Sequence, residues 1–470
     1  MFLGLLLART AMAQETEFGR GQAGSARTIA VPLDDSAGYA LGEAKAGPSA
    51  APQWPPDAPP PPPPAEKPKD EEKKESEETK EEEKPPEEGP KKLFHGPWLD
   101  RHHLDLRGFV DAGAGLNPES PLDRFNGPVA YDDRSNEFQL NQLYVTAERL
   151  TKVENDCGED YGYRADVLYG TDRRFIQTIA GTQWDSGWDT GSRFYGLCMP
   201  QFYGDLAYNK LLLRGGHFYA PCGYEVANAD GNFFYSHTYG FQYGMPTTLT
   251  GGYAIYKVKD KFLVNGGLDT GWNEFSSLNG KVNGMFGFNW TSKKDEVAII
   301  SEWFVGDTEP AGIDGTRVEC VTDITVKIGE KWHYVLENTV GHDSNTTSTA
   351  TPGPGVAAGP GTGPASWIGW TNYLFYDISE RWAFGFRWEC FQDLDGAVVT
   401  RVGPPAMLEP GSTYNDVTLG LNWKPNKNIT LRSEARWDWT ENAAPAGSKP
   451  FDAGGSNSQF LWGNDIIVRF

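Results

Sequence analysis

From about residue 100 onward the chain breaks into runs in which apolar and polar side chains alternate. The connections between those runs are by turns long and short. Alternation with period two marks strands with two unlike faces. Tyr161, Tyr163, Ala165, Val167 and Tyr169 share one face of such a run, and Gly162, Arg164, Asp166, Leu168 and Gly170 share the other. Near the end, Ile429, Leu431, Ser433, Ala435, Trp437 and Trp439 oppose Thr430, Arg432, Glu434, Arg436 and Asp438. The runs start near Leu104, Phe138, Tyr161, Met199, Leu211, Leu249, Phe262, Val282, Val297, Arg317, Trp332, Ser366, Trp382, Tyr414, Ile429 and Phe460. The short links are Asn209-Lys210, Lys257 to Lys261, Ser292 to Glu296, Gly329 to Lys331, Asp377 to Arg381 and Lys424 to Asn428. Long ones include Ala114 to Asn136, Thr171 to Leu197, Ala220 to Thr248, Gly341 to Ala365 and Gln392 to Thr413. Nothing in a soluble sandwich forces this regularity, whereas outer-membrane barrels carry long loops at one end and short turns at the other. The expected fold is therefore all-β, a transmembrane antiparallel β-barrel of about 16 strands, with about 14 or 18 as the alternatives. An even count leaves both termini on the short-turn, periplasmic side.

Composition agrees once it is read against that pattern. Of 470 residues only 39% are hydrophobic, yet 13% are aromatic, including 16 Trp. No window of about 18 apolar residues exists, which excludes a transmembrane helix but not a barrel, whose strands leave no hydropathy peak. A net charge of −22 argues against nucleic acid as a partner. Aromatic residues gather near the expected strand ends, as in the interfacial girdles of membrane proteins: Tyr161, Tyr169, Trp303, Trp367, Tyr376, Trp382, Trp388, Trp423, Trp437, Trp439 and Trp462.

Ahead of the strands lie two segments of different character. Residues 1–13 read as a signal peptide. Phe2 to Ala8 is a short apolar run, and Ala11-Met12-Ala13 fits the small-x-small cleavage rule, although no Lys or Arg precedes the run. Residues 14–92 read as a disordered or partly helical periplasmic tail. It carries a proline run from Pro59 to Pro64, a stiff spacer, and then a Glu/Lys-rich stretch without an apolar seam. The stretch from Glu66 to Lys92 holds only about −4 of the charge, and about −16 belongs to residues 93–470, the expected barrel.

Several stretches are similar to the OmpL-like β-barrel porins (porin family 2). They are Phe138-Gln139-Leu140-Asn141-Gln142-Leu143-Tyr144-Val145, Tyr163-Arg164-Ala165-Asp166-Val167-Leu168-Tyr169-Gly170 and Pro200-Gln201-Phe202-Tyr203. Leu213-Arg214-Gly215-Gly216-His217-Phe218 follows, then Pro221 and Gly223-Tyr224-Glu225, Asn232-Phe233-Phe234-Tyr235-Ser236-His237-Thr238, and Asp269-Thr270-Gly271-Trp272. The resemblance covers roughly residues 100–470 and leaves the tail out. It implies an outer-membrane pore that passes small hydrophilic solutes and ions by passive diffusion, without enzymatic activity and without naming a solute. The same reading expects contact with outer-membrane lipid and with the barrel-assembly machinery, for which Phe470 on the alternating last strand is the candidate signal. It leaves open a homotrimer and contact of the tail with the cell wall.

The third long loop, residues 220–248, is the longest and is crowded with Phe233, Phe234, Tyr235, Tyr239, Phe241 and Tyr243, besides Glu225 and Asp230. So many aromatic residues do not lie free in water. The loop is expected to fold against the inner wall and form the constriction, with an outward lid or a subunit contact as the alternatives. Alternation places Arg107, Arg164, Asp166, Asp205, Arg214, Arg387, Glu389, Arg432, Glu434 and Arg436 on the lumen side. There they either line the pore and create a transverse field or simply pair on a wet wall. The acidic balance suggests a mild cation preference.

Other chemistry is poorly supported. His95, His102 and His103 lack a second ligand pair at metal-binding spacing. Asp393-Leu394-Asp395-Gly396 lacks the closing Glu of a calcium loop, and no nucleophile elbow is present. No metal or cofactor is expected. Extending the Tyr208–Leu211 register brings Cys198 beside Cys222, which makes a rim disulfide and a pair of free thiols equal alternatives. Two further functional readings compete with the diffusion pore. One is a solute-selective channel for an anion or a sugar. The other is a surface binding or structural protein tethered to the cell wall.

Overall fold

The computed structural model describes residues 94–470 except 154–157, 180, 183, 189–193, 308–313, 347–362, 394, 401, 403–410 and 442–448. The expected signal peptide and all but the last residues before the barrel therefore lie outside the described residues.

A short helix, α1 (Pro97–Arg101), leads into sixteen strands: β1 (Asp105–Leu116), β2 (Phe138–Arg149), β3 (Glu159–Gly170), β4 (Gly196–Tyr208), β5 (Leu211–Tyr219), β6 (Thr248–Lys259), β7 (Phe262–Asp269), β8 (Asn283–Thr291), β9 (Val297–Gly306), β10 (Arg317–Ile328), β11 (Trp332–Thr346), β12 (Gly363–Asp377), β13 (Trp382–Asp393), β14 (Ser412–Asn426), β15 (Ile429–Thr440) and β16 (Ser458–Arg469). Each strand pairs antiparallel with its neighbours in sequence, and β1 pairs with β16, so the sheet closes into a barrel with no free edge. The expected strand starts fall within a few residues of the observed ones. The seam is finished beyond β16, where Gly108 and Phe470 exchange backbone hydrogen bonds of 2.9 Å in both directions. There the Phe94 ring approaches Phe470 edge-on, 6.3 Å between centroids.

The two faces divide as alternation dictates. Trp303, Trp388, Trp437 and Trp462 remain exposed on the outer face, where a lipid environment is the only apolar medium available to them. Trp367 departs from the girdle expectation, because it faces inward and is buried. Gly341, opposite it on β11, leaves the room: a side chain there would meet the indole at 2.0 Å.

The inward face is polar and largely sealed. Arg317, Arg387 and Arg436 are among the largest fully buried side chains, and Glu389, Asp416 and Asp438 have no accessible surface. Charges so buried must be paired or hydrogen-bonded. What fills the space beside them is not lipid or neighbouring wall but the chain's own loop between β5 and β6.

Candidate functional site: the lumen and its inserted loop

The loop after Tyr219 enters the barrel and runs across it. Early in its course the Tyr224 amide donates to Glu337 Oε2 on β11 at 2.7 Å. On the far side Gln142 of β2 both donates to the Ala227 carbonyl, 2.9 Å, and accepts from the Ala229 amide, 3.0 Å. Asp230 reaches Arg469 at the terminal end of β16, 3.3 Å away. Asn422, close to the short-turn end of β14, donates to the Phe233 carbonyl at 2.9 Å. The loop thus descends from the long-loop end to the other half of the barrel before it returns.

Its backbone is gripped by a ladder of opposite charges on β13 and β15. Loop segments have few backbone partners of their own, so their amides and carbonyls must find others when buried. Here acids take the amides and bases take the carbonyls. Glu434 accepts from Tyr235 and Ser236 at 2.8 and 3.1 Å, and Glu389 accepts from Tyr239 and Gly240, both at 2.7 Å. Arg432 donates one nitrogen to the carbonyls of Ala229, Asn232 and Phe234 at 3.0, 3.0 and 2.9 Å. Arg387 donates to the Ser236 carbonyl at 2.7 Å, and Arg436 to that of His237. These hydrogen bonds join residues about 150 to 200 positions apart in the chain.

Side chains complete the seat. Within the loop, Glu225 bonds His237 Nδ1 at 2.8 Å and meets Arg387 at 3.1 Å. Tyr239 donates to Asp438 at 2.8 Å, and Trp367 donates to the Gly244 carbonyl at 3.0 Å. Phe233 and Phe234 lie over Gly385 and Gly420, where a side chain would collide with the rings. Glycine on an inward position marks a place where another part of the chain comes close.

The residues expected to line the lumen therefore fall into two groups. Arg387, Glu389, Arg432, Glu434 and Arg436, with Glu225 and Asp230 of the loop itself, hold the loop in place instead of standing on a wet wall. Arg107, Arg164 and Asp166 form a second chain with Glu148 on β1–β3: Arg107 meets Glu148 at 2.7 Å, while Arg164 meets Glu148 at 3.1 Å and Asp166 at 3.0 Å. Asp205 and Arg214, direct partners in the β4–β5 register, pair at 2.8 Å with the guanidinium over the Tyr203 ring.

Sequence reasoning missed Asp416 and Asp465 and gave Asp438, placed on the polar face, no role; these acids balance Arg387, Arg432 and Arg436. Inward parity would have found the other two, since Asp465 is the direct register partner of Arg432 and Asp416 that of Glu389. Cys198 and Cys222 are free thiols, so the rim disulfide is not formed. The β4–β5 ladder stops at Phe202–His217, short of Cys198, which joins an apolar cluster with Leu168 and Tyr219.

Known proteins fit this geometry. A family model described as "Putative beta-barrel porin-2, OmpL-like" matches residues 103–470. No curated protein sequence matches the chain. Among solved structures, the outer membrane channel DcaP of Acinetobacter baumannii aligns with a TM-score of 0.50 at 13% identity, over 78% of this chain and 97% of that one. An anion-selective porin from Comamonas acidovorans aligns at 0.49 with 11% identity, over 78% and 99%.

Proposed function

We propose a narrowed diffusion channel: the chain belongs to this OmpL-like β-barrel porin-2 family, and its barrel is an outer-membrane porin through which small hydrophilic solutes and ions pass passively. An empty barrel of about 16 strands leaves an aqueous channel of porin width. The observation that carries the narrowing is the loop of residues 220–247, bound through its backbone to Glu337, Gln142, Glu389, Arg432 and Glu434 on four different strands. A loop seated in this way reduces the cross-section open to solutes and fixes it, with no input of energy. The apolar outer face meets outer-membrane lipid, both termini face the periplasm, and the tail of residues 14–92 extends there after loss of a signal peptide.

The test is single-channel conductance of the purified full chain in planar bilayers, compared with a variant that lacks Asp230 to Tyr243. Steady open steps that rise several-fold on deletion are expected. A conducting wild type with unchanged conductance in the variant refutes the narrowing, and absence of steps in the wild type refutes the channel.

A further inference from the structure

The aspartates beside the inserted loop on β14 to β16 each meet an arginine. Asp416 lies 3.4 Å from Arg387, Asp438 2.7 Å from Arg436, and Asp465 2.9 Å from Arg432. Where the loop enters, on β10 and β11, the acids are in different company. Asp323 and Glu337 are direct partners in the register, and both are buried. Among the described residues neither is paired with a base. The two carboxyls hydrogen-bond each other instead.

That bond fixes a proton. An ionised carboxylate can only accept, so a hydrogen bond between two carboxyls requires that one of them keep its proton. The pair then carries one negative charge, and the loop supplies the match for it. Gly223 has a φ of 85°, in the left-handed region that favours glycine. The turn there directs two successive amides at the pair. Gly223 donates to Asp323, and Tyr224 donates to Glu337 Oε2 at 2.7 Å. Successive amides in such a turn make a concavity suited to one anion.

A second negative charge would find no counterpart. The titratable groups on the surrounding elements are Cys222, Tyr224 and Glu225 of the loop, Glu302 of β9, Glu319 of β10 and Tyr373 of β12. None of them is a base. Glu225 is itself engaged with Arg387 at 3.1 Å and with His237 at 2.8 Å. His333, lower on β11, is bound to Asp377 at 3.1 Å. Lys257 shares the Asp323 rung only across β7, β8 and β9, and it meets Asp260 at 3.2 Å.

We propose that the proton shared by Asp323 and Glu337 locks the entry of the loop, and that alkaline solution opens the channel by removing it. The proton leaves to hydroxide as water, and the pair passes from one buried negative charge to two, which repel. As the carboxyls part, the amides of Gly223 and Tyr224 lose their seat, and the loop loosens where it enters the barrel. This rests on the narrowed-channel reading above and adds its regulation.

The experiment is single-channel conductance of the full chain in planar bilayers, with the same pH on both sides, for the wild type, Asp323→Asn and Glu319→Gln. Folding of each variant is checked by the heat-dependent gel shift of an intact barrel. Between about pH 6 and about pH 10 the wild-type conductance is expected to rise about twofold or more, and to return on acidification. In Asp323→Asn the amide donates to Glu337 with no proton to lose, so the profile should be flat. Glu319→Gln leaves the pair intact and should keep the rise. Steady wild-type conductance that does not change with pH overturns the inference and leaves the porin intact. A folded Asp323→Asn that keeps the rise, or a folded Glu319→Gln that loses it, does the same. If Asp323→Asn does not fold, Glu337→Gln takes its place with the same expectation. If neither folds, the wild-type profile alone decides. A wild type without conductance at any pH overturns the porin reading, and this inference with it.

Discussion

Gly108 and Phe470 are bound to each other through their backbones in both directions, at 2.9 Å each way, and the Phe470 ring occupies the space beside the Gly108 α-carbon. A side chain at position 108 would meet the Tyr144 carbonyl at 2.5 Å and the ring at 2.8 Å. The seam between first and last strands is thus closed around a residue with no side chain.

Gly108→Val is expected to destabilise the barrel by about 1–3 kcal/mol, the usual cost of forcing extra methyl groups into a packed site. The heat-dependent gel shift should then occur at a lower temperature than in the wild type. An unchanged transition would show that the seam yields without loss.

Arg432 holds three loop carbonyls and also bonds Asp465 at 2.9 Å. Arg432→Met leaves that aspartate and the carbonyls buried without their donor. A loss of about 3–5 kcal/mol is expected, as when one partner of a buried ion pair is removed. Conductance should rise and become noisy as the loop loosens. Arg432→Lys keeps the charge but not the forked geometry, so it should fall between the two.

Trp367→Phe removes the hydrogen bond to the Gly244 carbonyl and part of a buried ring, and about 1–3 kcal/mol is the expected cost. Gly341→Ala should cost more, because the new methyl group would stand inside the indole. Thermal unfolding of the two variants side by side reads the order.

Glu274, in the loop between β7 and β8, has its carboxyl raised to about 7. Burial is the main cause, opposed by the hydrogen bond it accepts from the Leu278 amide and reinforced by the nearby Asp269 charge. The folded protein holds this proton more tightly than the unfolded chain, whose carboxyl titrates near 4.5. Its contribution to stability is therefore complete below about pH 4.5 and is lost as pH rises through 7. Proteolytic nicking of this loop should increase between those limits, and Glu274→Gln should abolish the increase.

The strands could be read from the chain almost residue by residue because a barrel wall has two solvents. Lipid on one side and polar matter on the other impose period two, so that burial alternates over runs such as Ile429 to Trp439 with Ser433 the one polar residue on the outer face. The contents of the barrel were less legible. The aromatic run of the loop announces burial, and Arg387 or Glu434 announces an inward face, but nothing local says that one grips the other. The pairing of Tyr235 with Glu434 spans 199 positions and depends on the loop's path, which no periodicity records. Trp367 misled for a related reason: near a strand end, an indole suits an interface as well as an interior, and only Gly341 across the register decides between them.

The order of events in assembly follows from where the loop finds its partners. It lies between the fifth and sixth of sixteen strands, yet its backbone is held mostly by strands of the last quarter of the chain and, through Gln142, by one beyond the seam. Contacts of such long range form late. Until β13 to β16 have joined β1, the loop has no seat, and a nearly finished barrel is a wide hole. In the narrowed channel we propose, the contact that sets the bore is thus the last stage of maturation.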